Sequence, residues 1–161
     1  MNGNEFKNAI RAKRPRYANS RIPIIDALAN KGSKTSNYYS QFGPVYEIYI
    51  YAFMLGLKKK LRLPLPDRKL TSDFLEIGKW KRDSALVDFL MMVIFTNNDE
   101  IGFKWSELED YSDVQLNEVI SNIITFIEEY ANGGLQYIQE LYDRNELENS
   151  HYMFIDLYQS I

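Results

Sequence analysis

The chain of 161 residues is 45% hydrophobic and 14% aromatic, enough apolar material for the core of one ordinary domain, and its net charge is -3. It contains no cysteine, which excludes a disulfide scaffold and cysteine-ligated zinc or iron–sulfur sites and fits a reducing compartment. The basic start MNGNEFKNAIRAKRPRY lacks the apolar segment of a secretory signal, and no run approaches the roughly 18 apolar residues that cross a bilayer, so we expect a cytoplasmic protein with no membrane segment.

The charge is divided unevenly along the chain. Residues 1–82 carry 17 Lys and Arg against 6 Asp and Glu, whereas residues 83–161 carry 2 against 16. The balance is therefore +11 in the first half and -14 in the second. The basic half could face an anionic partner such as nucleic acid, or the two halves could neutralise each other or remain solvated.

The first twenty residues predict a short helix followed by a basic arm. The helix would run from Asn4 to Lys13, because Pro15 ends it, and Arg-Pro-Arg would continue as an extended segment. The arm could contact phosphates or be a frayed, solvated terminus. Its candidate phosphate-binding residues are Arg11, Lys13, Arg14 and Arg16.

Two helices are predicted next. The first runs from Ser20 to Gly32, with Pro23 in its first turn. Its inner face would consist of Ile22, Ile25 and Leu28. The second runs from Gly43 to Lys60 and is apolar nearly all round, which is typical of a helix that is buried or faces a partner. Ala52 and Gly56 are four residues apart, so another helix could approach closely there.

A cluster of cations follows this second helix. Lys58, Lys59, Lys60 and Arg62 could stabilise the negative end of the helix dipole, or they could form a phosphate-binding patch that includes Arg68 and Lys69. The tyrosines between residues 38 and 51 favour core packing, with a protein interface as the alternative.

The chain from Leu70 to Trp80 predicts a short extended segment around Phe74–Ile77, and Ser84 would cap a helix from Ala85 to Thr96. The inner face of that helix would consist of Leu86, Phe89, Leu90, Val93 and Ile94.

The most regular helix is predicted from Ser112 to Gly134. Ser112 and Gln115 form a capping box, and Gly133 would end the helix. The inner face would consist of Leu116, Val119, Ile120, Ile123, Phe126, Ile127 and Tyr130, and Glu128 and Glu129 would lie on the outer face. After a break at Gly133-Gly134, helices from Leu135 to Arg144 and from about Leu147 to Ile161 complete the prediction, the last docked by Tyr152, Ile155, Leu157 and Ile161.

Together these elements predict a mainly α protein, a single compact domain of about five to six helices over residues 1–161, with residues 1–20 as a basic N-terminal arm and a minor extended segment near residues 70–80.

Catalytic motifs are weak throughout the sequence. The only histidine, His151, has no accompanying nucleophile elbow, which argues against triad chemistry. Asp67, Glu76 and Lys79 approach the pattern of a Mg²⁺-dependent nuclease, but the acid and the lysine are three residues apart, where a strand requires two. We therefore predict no catalytic residues, no metal site and no cofactor, and we lean towards a protein that is not an enzyme.

Two segments carry a family resemblance. FIEEYANGGLQYI (Phe126–Ile138) and FGPVYEIYIYAFMLGLKKK (Phe42–Lys60) resemble the small DNA phosphorothioation-associated proteins found beside the Dnd modification and restriction genes. The resemblance spans roughly residues 42–142, and its motifs are helix ends and breaks.

The resemblance implies a bacterial, cytoplasmic, non-catalytic accessory or adaptor protein of a phage-defence system, acting through contacts with the other proteins of that system. It transfers no catalytic residues. The alternative is a subunit that binds duplex DNA through phosphates, using Arg11, Lys13, Arg14, Arg16, Lys58, Lys59, Lys60 and Arg62. The sequence leaves the oligomeric state open.

Overall fold

A computed structural model describes residues 1–29, 42–80, 85–147 and 152–161. The fold is mainly α with a minor two-stranded sheet, which confirms the predicted class. The elements in chain order are α1 (Gly3–Arg11), β1 (Arg16–Ala18), α2 (Ile22–Leu28), α3 (Val45–Lys59), β2 (Thr71–Asp73), α4 (Ala85–Thr96), α5 (Asn98–Ile101), α6 (Asp113–Asp143) and α7 (Met153–Gln159). Short 3-10 helices lie at Asn19–Arg21, Arg68–Leu70, Ile77–Lys79 and Trp105–Asp110. The extended segment predicted near residue 75 is therefore found slightly earlier, in β2.

The chain divides into two compact units. The first comprises Met1–Arg16 and Asp73–Ile127, and the second comprises Tyr17–Ser72 and Glu128–Ile161. The single domain that the sequence suggests stays a prediction. Within the described ranges, none of the helices combines the length and apolarity needed to cross a bilayer.

The N-terminal segment is folded, which confirms the predicted short helix and the extended chain after it, whereas the alternative of a frayed terminus is wrong. Helix α1 begins with a capping box between Asn2 and Glu5 and buries Phe6 and Ile10. Beyond its end, the carbonyl oxygen of Pro15 accepts a hydrogen bond from the amide of Phe74, at 2.8 Å. Apolar residues within α1 and backbone pairing after it therefore hold this segment in the first unit.

Helix α6 begins and packs as predicted at its N-terminal part. The amide of Ser112 donates to the Gln115 side chain at 2.9 Å, and the amide of Gln115 donates back to the Ser112 hydroxyl at 3.4 Å. All seven residues of the predicted inner face are buried. Glu128 was expected on the outer face, and this prediction is wrong, because the side chain is only 3% exposed.

The helix does not end at Gly133, which corrects the predicted break. Helix α6 continues through both glycines to Asp143. A Cβ on Gly133 would lie less than 3.0 Å from the carbonyl oxygen of Leu61, and a Cβ on Gly134 would lie as close to that of Ala52. The glycines therefore serve close packing rather than helix termination, and tertiary contact outweighs their poor helix propensity.

The same crossing confirms the predicted close approach at Ala52 and Gly56. A Cβ on Gly56 would lie less than 3.0 Å from the carbonyl oxygen of Tyr130. Side chains from α2, α3, α6 and α7 form the core of the second unit around this contact. Its buried members are Ile24, Ile25, Leu28, Ala29, Ile48, Ala52, Leu55, Leu135, Ile138, Leu147, Met153 and Phe154.

Several predicted inner faces are rotated in the structure. Ile22 on α2 and Phe89 on α4 are each 37% exposed, whereas the neighbouring Ile24 and Val87 are buried. On α7, Met153 and Phe154 enter the core, whereas Tyr152 and Ile155 are exposed. Elements this apolar or this short offer more than one plausible inner face, so packing decides. Gly32, Tyr38, Tyr39, Ser84 and His151 lie outside the described residues.

Candidate functional site

The predicted cation cluster surrounds the end of α3 in the second unit. Lys60 closes the helix in the left-handed conformation, with φ of 55°. The Lys58 ammonium donates to the carbonyl oxygen of Tyr158 and lies 4.3 Å from the centre of that ring. The Lys59 ammonium lies 4.1 Å from the centre of the Tyr137 ring. Two of the three lysines are therefore engaged by aromatic side chains of the same unit.

Arg62 is engaged by a carboxylate. Its Nε lies 2.6 Å from Oε2 of Glu129, and its guanidinium carbon lies 6.0 Å from the centre of the Tyr130 ring. The backbone after α3 is also hydrogen-bonded to α6, because the amide of Leu63 donates to the carbonyl oxygen of Glu129. Glu129 lies within α6 and not at its C-terminal end, so the helix dipole does not disfavour its charge, and Arg62 provides the opposite charge.

The N-terminal candidates lie in the first unit. Arg14 Nη2 and Lys79 Nζ are each 2.9 Å from the carboxylate of Glu76. The hydrogen bond from Arg14, followed by that from Lys79, holds the pKa of Glu76 below its usual value. Arg11 is half-buried at the end of α1, Lys13 is exposed, and Arg16 is half-buried in β1.

The eight predicted phosphate contacts thus fall into two groups. Arg11, Lys13, Arg14 and Arg16 belong to the first unit, and Lys58, Lys59, Lys60 and Arg62 belong to the second. The nuclease-like residues are also divided, because Asp67 belongs to the second unit while Glu76 and Lys79 belong to the first. Asp67 caps a 3-10 helix by accepting from the amide of Lys69, at 3.0 Å. Over the described ranges, no three acidic or histidine side chains are grouped as a metal would require.

A concave feature of the first unit is an apolar groove of about 670 Å³, which we call the α1–α4 groove. Its walls are α1, α4 and the 3-10 helix Trp105–Asp110, and Leu116 of α6 also lines it. The apolar lining residues are Met1, Phe6, Met91, Phe95, Trp105, Leu108 and Leu116. The volume is in the range of ligand and peptide sites, and the lining is mainly apolar.

Three charged side chains border the α1–α4 groove. Lys7 and Asp88 form an ion pair, which joins α1 to α4. Glu109 is exposed on the 3-10 helix. The described lining is mainly apolar, so the groove suits binding by apolar contact.

Sequence reasoning did not identify the α1–α4 groove. Trp105 lies in the connection between α5 and α6, and it is 64% exposed. The signal that could have found the groove is the apolar surface of α4, where Met91 and Met92 lie outside the predicted inner face and Met92 is 58% exposed. A helix that is apolar all round either is buried or faces a partner.

No family model matches the chain, and no curated protein or solved structure does either.

Proposed function

We propose that this chain is a non-catalytic accessory or adaptor protein of a bacterial DNA phosphorothioation-linked restriction and phage-defence system. In this proposal it works in the cytoplasm through contacts with other proteins of the system. The observation that carries its mode of action is the α1–α4 groove, an open apolar surface with an exposed tryptophan. Tryptophan and methionine are enriched in the centres of protein interfaces.

The assignment to this defence system is supported by the resemblance of Phe42–Lys60 and Phe126–Ile138 to its accessory proteins. In the structure, Ala52, Gly56 and Gly134 of these segments meet where α3 approaches α6, and Gly133 packs against Leu61 just after α3. These residue types are the ones such a crossing requires. A motif of this kind would mark a shared fold and would carry no active site, in keeping with an adaptor.

The engagement of the predicted cations favours protein contacts over DNA binding. Lys58, Lys59 and Arg62 contact aromatic rings or a carboxylate of their own unit, and Arg14 contacts Glu76. A phosphate would have to displace these contacts, and their loss reduces what each cation contributes to the free energy of DNA binding.

The proposal is tested by mixing the purified chain with each purified modification and restriction protein of the system. We expect a stoichiometric complex with at least one of them at physiological salt, measured by sedimentation velocity, which also reports the oligomeric state of the free chain. Deleting the gene should change restriction of unmodified phage DNA, and the wild-type gene should restore it. Absence of any complex, together with unchanged restriction, would contradict the proposal.

A further inference from the structure

The walls of the α1–α4 groove present their lining residues at helical spacing. Helix α4 contributes Asp88, Met91 and Phe95, at positions i, i+3 and i+7. Helix α1 and the 3-10 helix contribute further residues at i, i+3 and i+4. These are Gly3, Phe6 and Lys7 from α1, and Trp105, Leu108 and Glu109 from the 3-10 helix. The span along α4 is about 10 Å, which corresponds to about two turns of a bound helix.

The composition of the α1–α4 groove suits an apolar helix face. Methionine and aromatic side chains adapt to the irregular surface of a bound helix, and Met91 and Phe95 are only partly buried. Trp105 stands at the rim and is 64% exposed. An indole in this position loses much of its water contact when a partner covers it, which is the behaviour of an interface anchor.

The charge beside the α1–α4 groove defines the partner further. Residues 104–118, which include the 3-10 wall and Leu116, carry five acidic residues and one cation, Lys104, which pairs with Glu107. The terminal ammonium of Met1, which lines the groove, pairs with Asp113. At the opposite side, Lys7 is already paired with Asp88. Six carboxylates thus stand against three cations around the groove, so its net charge is negative and favours a partner with basic residues beside its apolar face.

We propose that the α1–α4 groove binds an amphipathic helix of another protein, which presents large apolar side chains to the groove and lysine or arginine to the acidic rim. This inference rests on the proposed function, since it names the kind of partner segment that the adaptor would take. The observations that carry it all lie in the first unit, so it can be tested separately from the proposed function.

The test uses the full chain and two synthetic helical peptides. Both carry leucine at positions i, i+3, i+4 and i+7, and they differ only in having lysine or glutamate at the flanking positions. Binding is measured by the anisotropy of a labelled peptide and by tryptophan fluorescence. We expect the lysine peptide to bind at least about tenfold more tightly and to shift Trp105 emission to shorter wavelength. Trp80 is only 2% exposed and supplies a constant background.

Three variants assign the binding to the α1–α4 groove. Met91→Asp places a charge in the lining and should weaken binding of the lysine peptide about tenfold or more. Leu75→Asp makes a matched change at a residue of the same unit that is 57% exposed and lies outside both the lining and the acidic rim, and it should leave affinity unchanged. Glu109→Lys should reduce the preference for the lysine peptide. Circular dichroism and urea unfolding establish that each variant is folded.

The inference is overturned if neither peptide binds at millimolar concentration, if both bind equally, or if Met91→Asp binds like the wild type. A wild-type dimer that Met91→Asp dissociates would instead assign the α1–α4 groove to a second copy of this chain. If the peptides do not bind but a defence protein still forms a complex, the result supports the proposed function and contradicts the assignment of the groove. If the lysine peptide binds as expected but no defence protein does, the groove assignment survives and the proposed function falls.

Discussion

At the scale of single residues, glycine positions decide how closely α3 and α6 approach. Gly56 and Gly134 face carbonyl oxygens across this crossing, and neither can accept a Cβ at its present distance. Gly3 at the start of α1 is different, because an added Cβ would meet no atom of the described residues within 4 Å. The chain therefore offers a matched pair of glycines for testing the close approach.

We expect Gly134→Ala to lower the free energy of unfolding by about 3 kcal/mol, because the new methyl group forces α3 and α6 apart. Gly3→Ala should leave stability unchanged or raise it slightly, because alanine is the better helix former. Urea unfolding at neutral pH measures both. A Gly134→Ala protein as stable as the wild type would show that the crossing relaxes without cost.

Glu76, also a single residue, makes a contribution to the stability of the fold that depends on pH. Folding lowers the pKa of its carboxyl group through Arg14 and Lys79, so the carboxylate stabilises the fold above its ordinary pKa of 4.5. That contribution is lost as the pH falls through the lowered pKa. The group is at the surface, so salt should weaken the effect.

We therefore expect a double-mutant cycle between Arg14→Ala and Glu76→Gln to give a stabilising coupling at neutral pH and low salt. The coupling should disappear at a pH well below 4.5, because the carboxyl group is then protonated in both the folded and unfolded states. Urea unfolding at the two pH values measures it. A coupling that stays constant with pH would contradict the ion pair.

At the scale of elements, Asn132 joins α6 to two other parts of the second unit. Its side-chain amide donates to the carbonyl oxygens of Leu63 and Pro64, both at 3.2 Å, and accepts from Arg21 Nε at 3.2 Å. Arg21 also donates to Gln136 and to Gln139 of α6. Burial lowers the pKa of the Arg21 guanidinium.

We expect Asn132→Ala to destabilise the protein by about 2 kcal/mol or more, because two carbonyl groups lose the amide that donates to them and the half-buried Arg21 guanidinium loses one of its three acceptors. Asn122→Ala removes an exposed amide from the same helix and should change stability by less than about 0.5 kcal/mol. Thermal or urea unfolding distinguishes the two variants. Equal effects would mean that water replaces the Asn132 contacts.

At the scale of the whole molecule, the sequence gives a basic first half and an acidic second half, but the units combine parts of both. The first unit contains residues 1–16 and 73–127, and the second contains residues 17–72 and 128–161. Each unit thus holds cations of the basic half and carboxylates of the acidic half, as Lys7 with Asp88 and Arg62 with Glu129 illustrate. The basic and acidic halves of the sequence therefore neutralise each other at these ion pairs, within each unit.

We accordingly expect little binding to duplex DNA at physiological salt, and a charge reversal at Lys58, Lys59 and Lys60 should change it little. Binding isotherms at several salt concentrations, with and without phosphorothioate linkages, measure this. A steep loss of affinity with salt that the reversal abolishes would favour the DNA-binding alternative instead.

The sequence by itself determined the helical class, the capping box of α6 and the buried face of its first half. These features depend on residues within one or two turns of each other, so local spacing suffices. It did not determine the role of Gly133 and Gly134, because a glycine can end a helix or admit a neighbour, and only the neighbour decides.

Tertiary structure alone decided the partners of the candidate site. Arg62 and Glu129 are 67 residues apart in the chain, and the walls of the α1–α4 groove come from residues near 6, 91 and 108. No local pattern encodes such distances. The exposure of Trp105 and the contacts of Lys58 and Lys59 with aromatic rings therefore depend on the tertiary structure, because exposure and pairing are properties of the packed molecule.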